Sequence, residues 1–160
     1  MDLNITLNYI KNVLDKLPDN WLKLTTYRID IYDEKLAKNQ FLDHFEKLFN
    51  NKNFNSSELN KLPTAYDYIR LGHPLSCILE WTIARLNNIK AENIISFSSS
   101  TMPVLAILRT NLLANKKTQI IYTGKLASGF DSEILHQIYG YKFDLKKIDK
   151  TEKILPFEGS

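Results

Sequence analysis

The residues best suited to chemistry in this sequence lie in a short stretch that combines an arginine with tyrosines. Tyr68 and Arg70 come just before a glycine, a histidine and a proline. Arginine offers a planar fork of donors that fits a phosphate or a carboxylate, and tyrosine adds a hydroxyl donor. Tyr68 and Arg70 are therefore candidate anion ligands. The alternative is a well-packed loop in which Arg70 pairs with a nearby carboxylate, because structural ion pairs are common.

A second candidate anion site follows about thirty residues later in the chain. The run Ser-Ser-Ser-Thr at 98–101 lies between a predicted strand and a predicted helix that begins near Pro103. A helix N-terminus presents unbonded N–H groups and the positive end of the helix dipole, and hydroxyl side chains add donors. Together with Tyr68 and Arg70, this run favours a small molecule that bears a phosphate. The alternative is an ordinary strand-to-helix junction with a Ser or Thr cap.

Composition and charge indicate a single soluble domain with a small appendage. The chain has 160 residues, of which 44% are hydrophobic and 24% are charged, and these values are typical of globular proteins. The net charge is +3 and the basic residues are scattered, which argues against a nucleic-acid partner. The sequence lacks an apolar run of membrane length and a signal peptide, so we expect a cytoplasmic protein with no membrane partner.

The residues that most often bind metals are isolated from one another. Cys77 is the single cysteine, which excludes an internal disulfide and cannot form a metal site by itself. His44, His73 and His136 do not have the spacing of metal ligands. The sequence therefore predicts no metal centre.

Hydrophobic periodicity predicts a helical N-terminal extension, residues 1–62, followed by an α/β segment, residues 63–160. The extension contains predicted helices over 5–17 and 33–49, a weakly extended stretch near 27–31, and an Asn-rich linker at 50–57. In the α/β segment we predict helices at 75–88, 104–115 and 131–139, and strands at 93–98, 119–123 and 141–148. Leu79, Ile83 and Leu86 are assigned to the apolar face of the first of these helices. Strands that alternate with helices predict a parallel sheet with right-handed crossovers, in three layers.

These residues carry a resemblance to a known enzyme family. Tyr68-x-Arg70-x-x-His73-Pro74, followed by Leu79-Glu80, resembles the Tyr-x-Arg-x-x-Asn-Pro-Thr-x-x-x-Leu-Glu signature of the pyridoxal-phosphate (PLP) enzymes of cysteine and methionine metabolism. This trans-sulfuration family includes the cystathionine synthases and lyases and methionine γ-lyase. The run 97–102 stands where the family has its Ser-Gly-Met turn, and the motifs at 126–129 and 139–142 follow in the family's order. The resemblance covers about residues 66–149.

The resemblance implies a PLP-transferase-like large domain of the type I aminotransferase fold, and it implies a homodimer. Tyr68 and Arg70 would hold the phosphate of the PLP that the partner subunit binds. The phosphate in the chain's own subunit would be held by Ser99, Ser100, Thr101 and Met102. The resemblance also implies a small-molecule amino-acid substrate that contains sulfur.

The sequence departs from the family signature at several positions. His73 and Leu75 replace the family's Asn and Thr, and Thr101 replaces a Gly beside the phosphate. Ala127 or Ser128 stands where an aromatic ring would stack on the pyridine. The sequence also lacks the region that supplies the Schiff-base lysine, so we expect no catalysis by this chain alone. The chain is then the front part, or a degenerate relative, of a PLP-dependent lyase or transferase.

Two alternatives come from other classes of protein. The Ser-Ser-Ser-Thr-Met-Pro turn is also similar to the Gly-Ser-Gly-Pro-Leu-Pro turn of nicotianamine-synthase-like enzymes, whose Rossmann domain binds S-adenosylmethionine (SAM). The strand that ends at Tyr122-Thr123 has no following acidic residue to hold a ribose, which argues against this alternative. The second alternative is a non-catalytic interaction module that uses exposed aromatic residues such as Phe49 and Phe54. It predicts no small-molecule ligand.

Overall fold

The structure is a computed structural model that describes residues 3–22, 34–63, 73–149 and 156–159, with the backbone alone described at 34–37. The chain divides into two compact units, 1–96 and 97–160. The described residues are mostly helical and include a two-stranded parallel sheet, so the α/β class is confirmed at this coarse level. Tyr68, Arg70 and the stretch predicted to be extended near 27–31 lie outside the described residues.

The longer helices of the first unit agree with the predicted bounds to within a few residues, and a short one begins within the predicted Asn-rich linker. They are α1 (Leu3–Leu14), α2 (Glu34–Asn50), α3 (Ser56–Leu59) and α4 (Pro74–Asn87), with 3₁₀ turns at Asp19–Leu22 and Ala91–Asn93. Pro74 occupies the first turn of α4, where its missing N–H has no intrahelical acceptor. Asn88 ends α4 in the left-handed conformation with φ 55°, which asparagine tolerates well.

An aromatic cluster forms the core of the first unit. Phe45 of α2 is fully buried, and its ring lies 5.8 Å from that of Tyr9 in α1 and 5.1 Å from that of Trp81 in α4. Phe49 lies one turn further along α2, 5.0 Å from Tyr9 and 5.1 Å from Trp81. Edge-on pairs of this kind add stability beyond the apolar area that they bury. The cluster therefore joins α1, α2 and α4.

Burial corrects two expectations about exposed and buried faces. Leu79, Ile83 and Leu86 are exposed, whereas Ile78 and Trp81 of the same helix are buried. The predicted apolar face of α4 is thus wrong, because the aromatic face of α2 packs on the Trp81 side. The expectation of exposed aromatic residues also fails, since Phe49 is buried and Phe54 is half-buried.

The strand predicted at 93–98 is not formed. Ile94, after the turn Ala91–Asn93, has extended backbone, but the segment has no strand partner among the described residues. The Ser96 N–H and hydroxyl donate to Glu80 Oε1 at 2.5 and 2.8 Å, and Lys38 Nζ donates to the Ile94 carbonyl. Lys38 also pairs with Glu80 Oε2 at 2.6 Å. Side chains of α2 and α4 therefore bond backbone groups that a sheet would otherwise have paired.

The second unit contains a strand–helix–strand unit preceded by a helix. Its elements are α5 (Met102–Leu113), β1 (Gln119–Tyr122), α6 (Ser132–Gln137) and β2 (Asp144–Lys147). The two strands are parallel, with Gln119 opposite Asp144 and Tyr122 opposite Lys147. The small core of this unit consists of Leu108, Leu135, Tyr141 and Phe143. The predicted strands after residue 118 and the predicted parallel pairing are confirmed.

Candidate functional site

The start of α5 holds four of the predicted site residues: Ser99, Ser100, Thr101 and Met102. Met102 is the first helical residue and Thr101 is the N-cap, but the Thr101 side chain makes no capping hydrogen bond. The Met102 N–H donates instead to Ser99 Oγ at 3.3 Å, and Ser99 Oγ lies 3.2 Å from Thr101 Oγ1. The prediction of Ser100 or Thr101 as the capping side chain is therefore corrected to Ser99.

This helix start provides several donors to an incoming anion. Ser99 and Ser100 are exposed and Thr101 is half-buried, so the hydroxyls are at or near the surface. Pro103 has no N–H, and the first-turn N–H of Val104 has no acceptor within the helix. Together these groups can surround a small anion such as phosphate.

The sequence around this helix start is basic, a signal that no motif carries, although the Asp131 carboxylate lines the neighbouring cavity. Between Glu92 and Asp131 the sequence has no acidic residue. The same stretch contains the basic residues Arg109, Lys116, Lys117 and Lys125. A basic stretch of this kind favours anions over cations at low ionic strength.

The turn that follows β1 lies beside the start of α5. Gly129 has φ +88°, and a Cβ added there would lie 3.9 Å from Thr101 Cγ2. A cavity of about 270 Å³ opens between this turn, α5 and α6, and Thr101, Leu105, Phe130 and Tyr139 contribute to its lining. The predicted Ser-rich turn and the predicted glycine turn are thus neighbours in space.

Two polar side chains near this cavity already have partners. The Asp131 Oδ1 accepts the N–H groups of Glu133 and Ile134 at 3.0 and 3.1 Å, so this carboxylate caps α6. His136 Nδ1 lies 2.8 Å from the Tyr141 carbonyl oxygen, and its ring stacks on Phe143 with centroids 4.1 Å apart. Both contacts fix the framework of the cavity.

The positions at which the family has a stacking aromatic ring form a tight turn here. Ala127 and Ser128 are exposed, and the Ala127 carbonyl accepts the Phe130 N–H at 3.0 Å. The Phe130 ring packs edge-on against Phe143, with centroids 5.9 Å apart. This ring therefore contributes to the core of the unit as well as to the cavity wall.

The start of α4 explains one departure from the signature. His73 stands where the family has Asn, and its Nδ1 accepts the Leu75 N–H at 3.2 Å. The histidine thus performs the capping that asparagine favours. Burial lowers the pKa of His73, which keeps the imidazole neutral as this bond requires, although a backbone hydrogen bond with Trp21 opposes the shift.

The single cysteine, Cys77, is buried in the core of the first unit. Burial raises the pKa of its thiol to about 12, so the thiol is unreactive.

The predicted anion ligands Tyr68 and Arg70 lie in 64–72, outside the described residues. The described residues include no group of three potential metal ligands and no helix long and apolar enough to cross a membrane. No protein-family model, curated protein or solved structure matches the chain.

Proposed function

We propose that this chain is the front part, or a degenerate relative, of a PLP-dependent lyase or transferase that acts on sulfur amino acids. In this proposal the chain supplies the binding site for the cofactor phosphate. The observation that carries the proposal is the start of α5, where Ser99 Oγ lies 3.2 Å from Thr101 Oγ1 and the Thr101 methyl group lies 3.9 Å from a Cβ added at Gly129. The sequence pattern assigns both segments to one cofactor site.

The donors at this helix start fit a phosphate group. The Met102 N–H makes only a long bond of 3.3 Å to Ser99 Oγ, so a phosphate oxygen can replace that acceptor. The Ser99 hydroxyl is then free to donate to the same phosphate. The sequence has no acidic residue between Glu92 and Asp131, and the Asp131 carboxylate that lines the cavity is bonded to the N–H groups of Glu133 and Ile134.

Thr101 is compatible with this role even though the family has glycine there. Its methyl group lies on the Gly129 side, and its hydroxyl lies 3.2 Å from that of Ser99. Thr101 therefore adds a hydroxyl donor to the phosphate, whereas the glycine of the family lets the phosphate lie close to the backbone. The φ of +88° at Gly129 is what favours glycine there, since an added Cβ would meet the Thr101 methyl group at an ordinary contact distance of 3.9 Å.

The remaining parts of the proposal depend on the sequence pattern alone. They are the three-layer large domain, the homodimer, and the binding of the partner subunit's cofactor phosphate by Tyr68 and Arg70. Bound PLP supplies an electron sink for reactions at the α-carbon of an amino acid. Since the described sequence has no counterpart of the Schiff-base lysine, the role proposed for this chain is to bind and orient the phosphate.

Thermal unfolding with PLP, inorganic phosphate or SAM tests the proposal. A ligand that binds only the folded state stabilises it, by about 2.7 kcal/mol at a hundred times its Kd. We expect PLP and phosphate to raise the unfolding midpoint, and we expect Ser99→Ala and Arg70→Ala to reduce that ligand-induced rise. Ser57→Ala, an exposed serine of α3, is the matched control and should keep the full rise.

Each variant is compared with its own ligand-free form, because Ser99→Ala also removes a helix cap. Stabilisation by SAM alone would contradict the proposal and favour the nicotianamine-synthase-like alternative. No rise with any of the three ligands would favour an interaction module whose resemblance to PLP enzymes reflects ancestry.

A further inference from the structure

A second cavity lies in the first unit, between α1 and the end of α2, and has a volume of about 250 Å³. The rings of Tyr9, Phe49 and Phe54, which we call the floor, line it together with Ile5. Phe49 and Phe54 lie edge-on to Tyr9, at centroid distances of 5.0 and 6.3 Å. The Tyr9 hydroxyl donates to the Asn53 carbonyl at 2.8 Å, so this ring is held in place and its polar atom is satisfied. The cavity floor is therefore fixed and apolar.

Amide groups form the polar edge of this cavity. Asn8 and Asn12 lie one turn apart on α1, and both line the cavity. Asn12 Nδ2 donates to the Asn8 carbonyl at 2.9 Å. Among the described residues the Asn8 carboxamide has no partner, so its N–H groups are available to a ligand.

The charge at this cavity is positive. Lys52 lines it from a left-handed turn with φ 52°, and Lys16 Nζ lies 4.9 Å from the centroid of the Phe54 ring. Neither lysine has a salt bridge within the described part of the chain, and no carboxylate is among the lining residues. Glu46 acts electrostatically on Tyr9, but its oxygens accept from Trp81 and Arg85 at 2.6 and 2.9 Å.

We propose that this cavity binds a small aromatic carboxylate. Its ring would pack against the floor, where edge-on contacts with Tyr9 and Phe54 are favourable. Its carboxylate would lie at the edge, toward the Lys52 ammonium and the Asn8 amide, where a charge-assisted hydrogen bond can form. The volume fits one ring and is below that of pockets for drug-sized ligands. This site belongs to the helical first unit and does not depend on the proposed PLP function.

Saturation-transfer NMR titrations of the full chain with three matched ligands test the proposal. Phenylacetate, 2-phenylethanol and phenethylamine share a ring and a two-carbon chain, and they differ in charge. We expect phenylacetate to bind tightest, and we expect its affinity to fall when salt is raised from low to high concentration. Equal or tighter binding of phenethylamine would overturn the proposal.

Two pairs of variants locate the binding site. Lys52→Asn removes the charge and keeps a residue that tolerates the left-handed turn, so we expect about fivefold weaker phenylacetate binding. Lys11→Asn, an exposed position of α1 outside the cavity, should leave the affinity unchanged. Ile5→Trp should fill the cavity and abolish binding, whereas Leu7→Trp, on an exposed position of the same helix, should not. If Lys52→Asn and Ile5→Trp bind phenylacetate as their controls do, the proposal is wrong.

Discussion

The ion pair between Lys38 and the buried Glu80 offers a sharp test of how the first unit holds residues 94–96. Only 7% of the Glu80 side chain is exposed, against 24% of the Lys38 side chain. Lys38→Met keeps a long unbranched side chain and removes the ammonium group. The carboxylate then loses its partner at Oε2 and keeps both donors of Ser96 at Oε1.

The expected cost follows from what remains around the carboxylate. Removing one partner of a buried ion pair costs about 3 to 5 kcal/mol, because the other charge stays buried without compensation. We place Lys38→Met at the lower end, about 3 kcal/mol, since Ser96 still donates twice to Glu80. Glu80→Gln costs less, because the partly exposed ammonium group of Lys38 can turn to water. The double variant should therefore cost less than the sum of the two single variants, with a coupling of about 1 kcal/mol or more.

Urea unfolding followed by tryptophan fluorescence measures these costs, because Trp21 and Trp81 are both buried in the first unit. Lys61→Met is the matched control. Lys61 and Glu58 form an equally short pair of 2.6 Å, but the Lys61 side chain is 70% exposed. That pair should contribute below about 1 kcal/mol. A Lys38→Met cost no larger than the Lys61→Met cost would refute the reasoning.

Two further predictions concern α4. Burial lowers the pKa of His73, so the folded state favours the neutral imidazole. The stability that His73 contributes is therefore present above the unfolded pKa of about 6.5 and is lost as the pH falls below that value. We therefore expect His73→Asn to keep the cap at Leu75 and to remove this pH dependence from urea unfolding. His73→Ala should cost about 1 kcal/mol at pH 8. An unchanged pH profile in His73→Asn would exclude His73 as the source of the pH dependence. The corrected apolar face predicts that Ile78→Ala destabilises the unit by about 2 to 5 kcal/mol and Leu79→Ala by about 0.5 kcal/mol or less. Equal costs for these two alanine variants in the same assay would show that the two faces of α4 are equally buried.

Local signals predicted most of the helices because their causes are local. The pattern of apolar residues and the position of Pro74 place α4 within one residue of its bounds in the structure. The strand predicted at 119–123 and the helix predicted at 131–139 likewise match β1 and α6 to within two residues at each end. In the candidate site, the sequence located the serine-rich helix start but not the side chain that caps it, because Ser99 and Thr101 are equally plausible by residue type.

The sequence by itself determined where these helices and strands lie and which residues near 98–102 can donate to an anion. The tertiary structure decided which face of α4 is buried, because Trp81 fits the aromatic cluster of α2 whereas Leu79 has no such neighbour. It also decided that 93–98 does not form a strand. A strand requires partners distant in the chain, and here Glu80 and Lys38 bond the backbone of this segment instead.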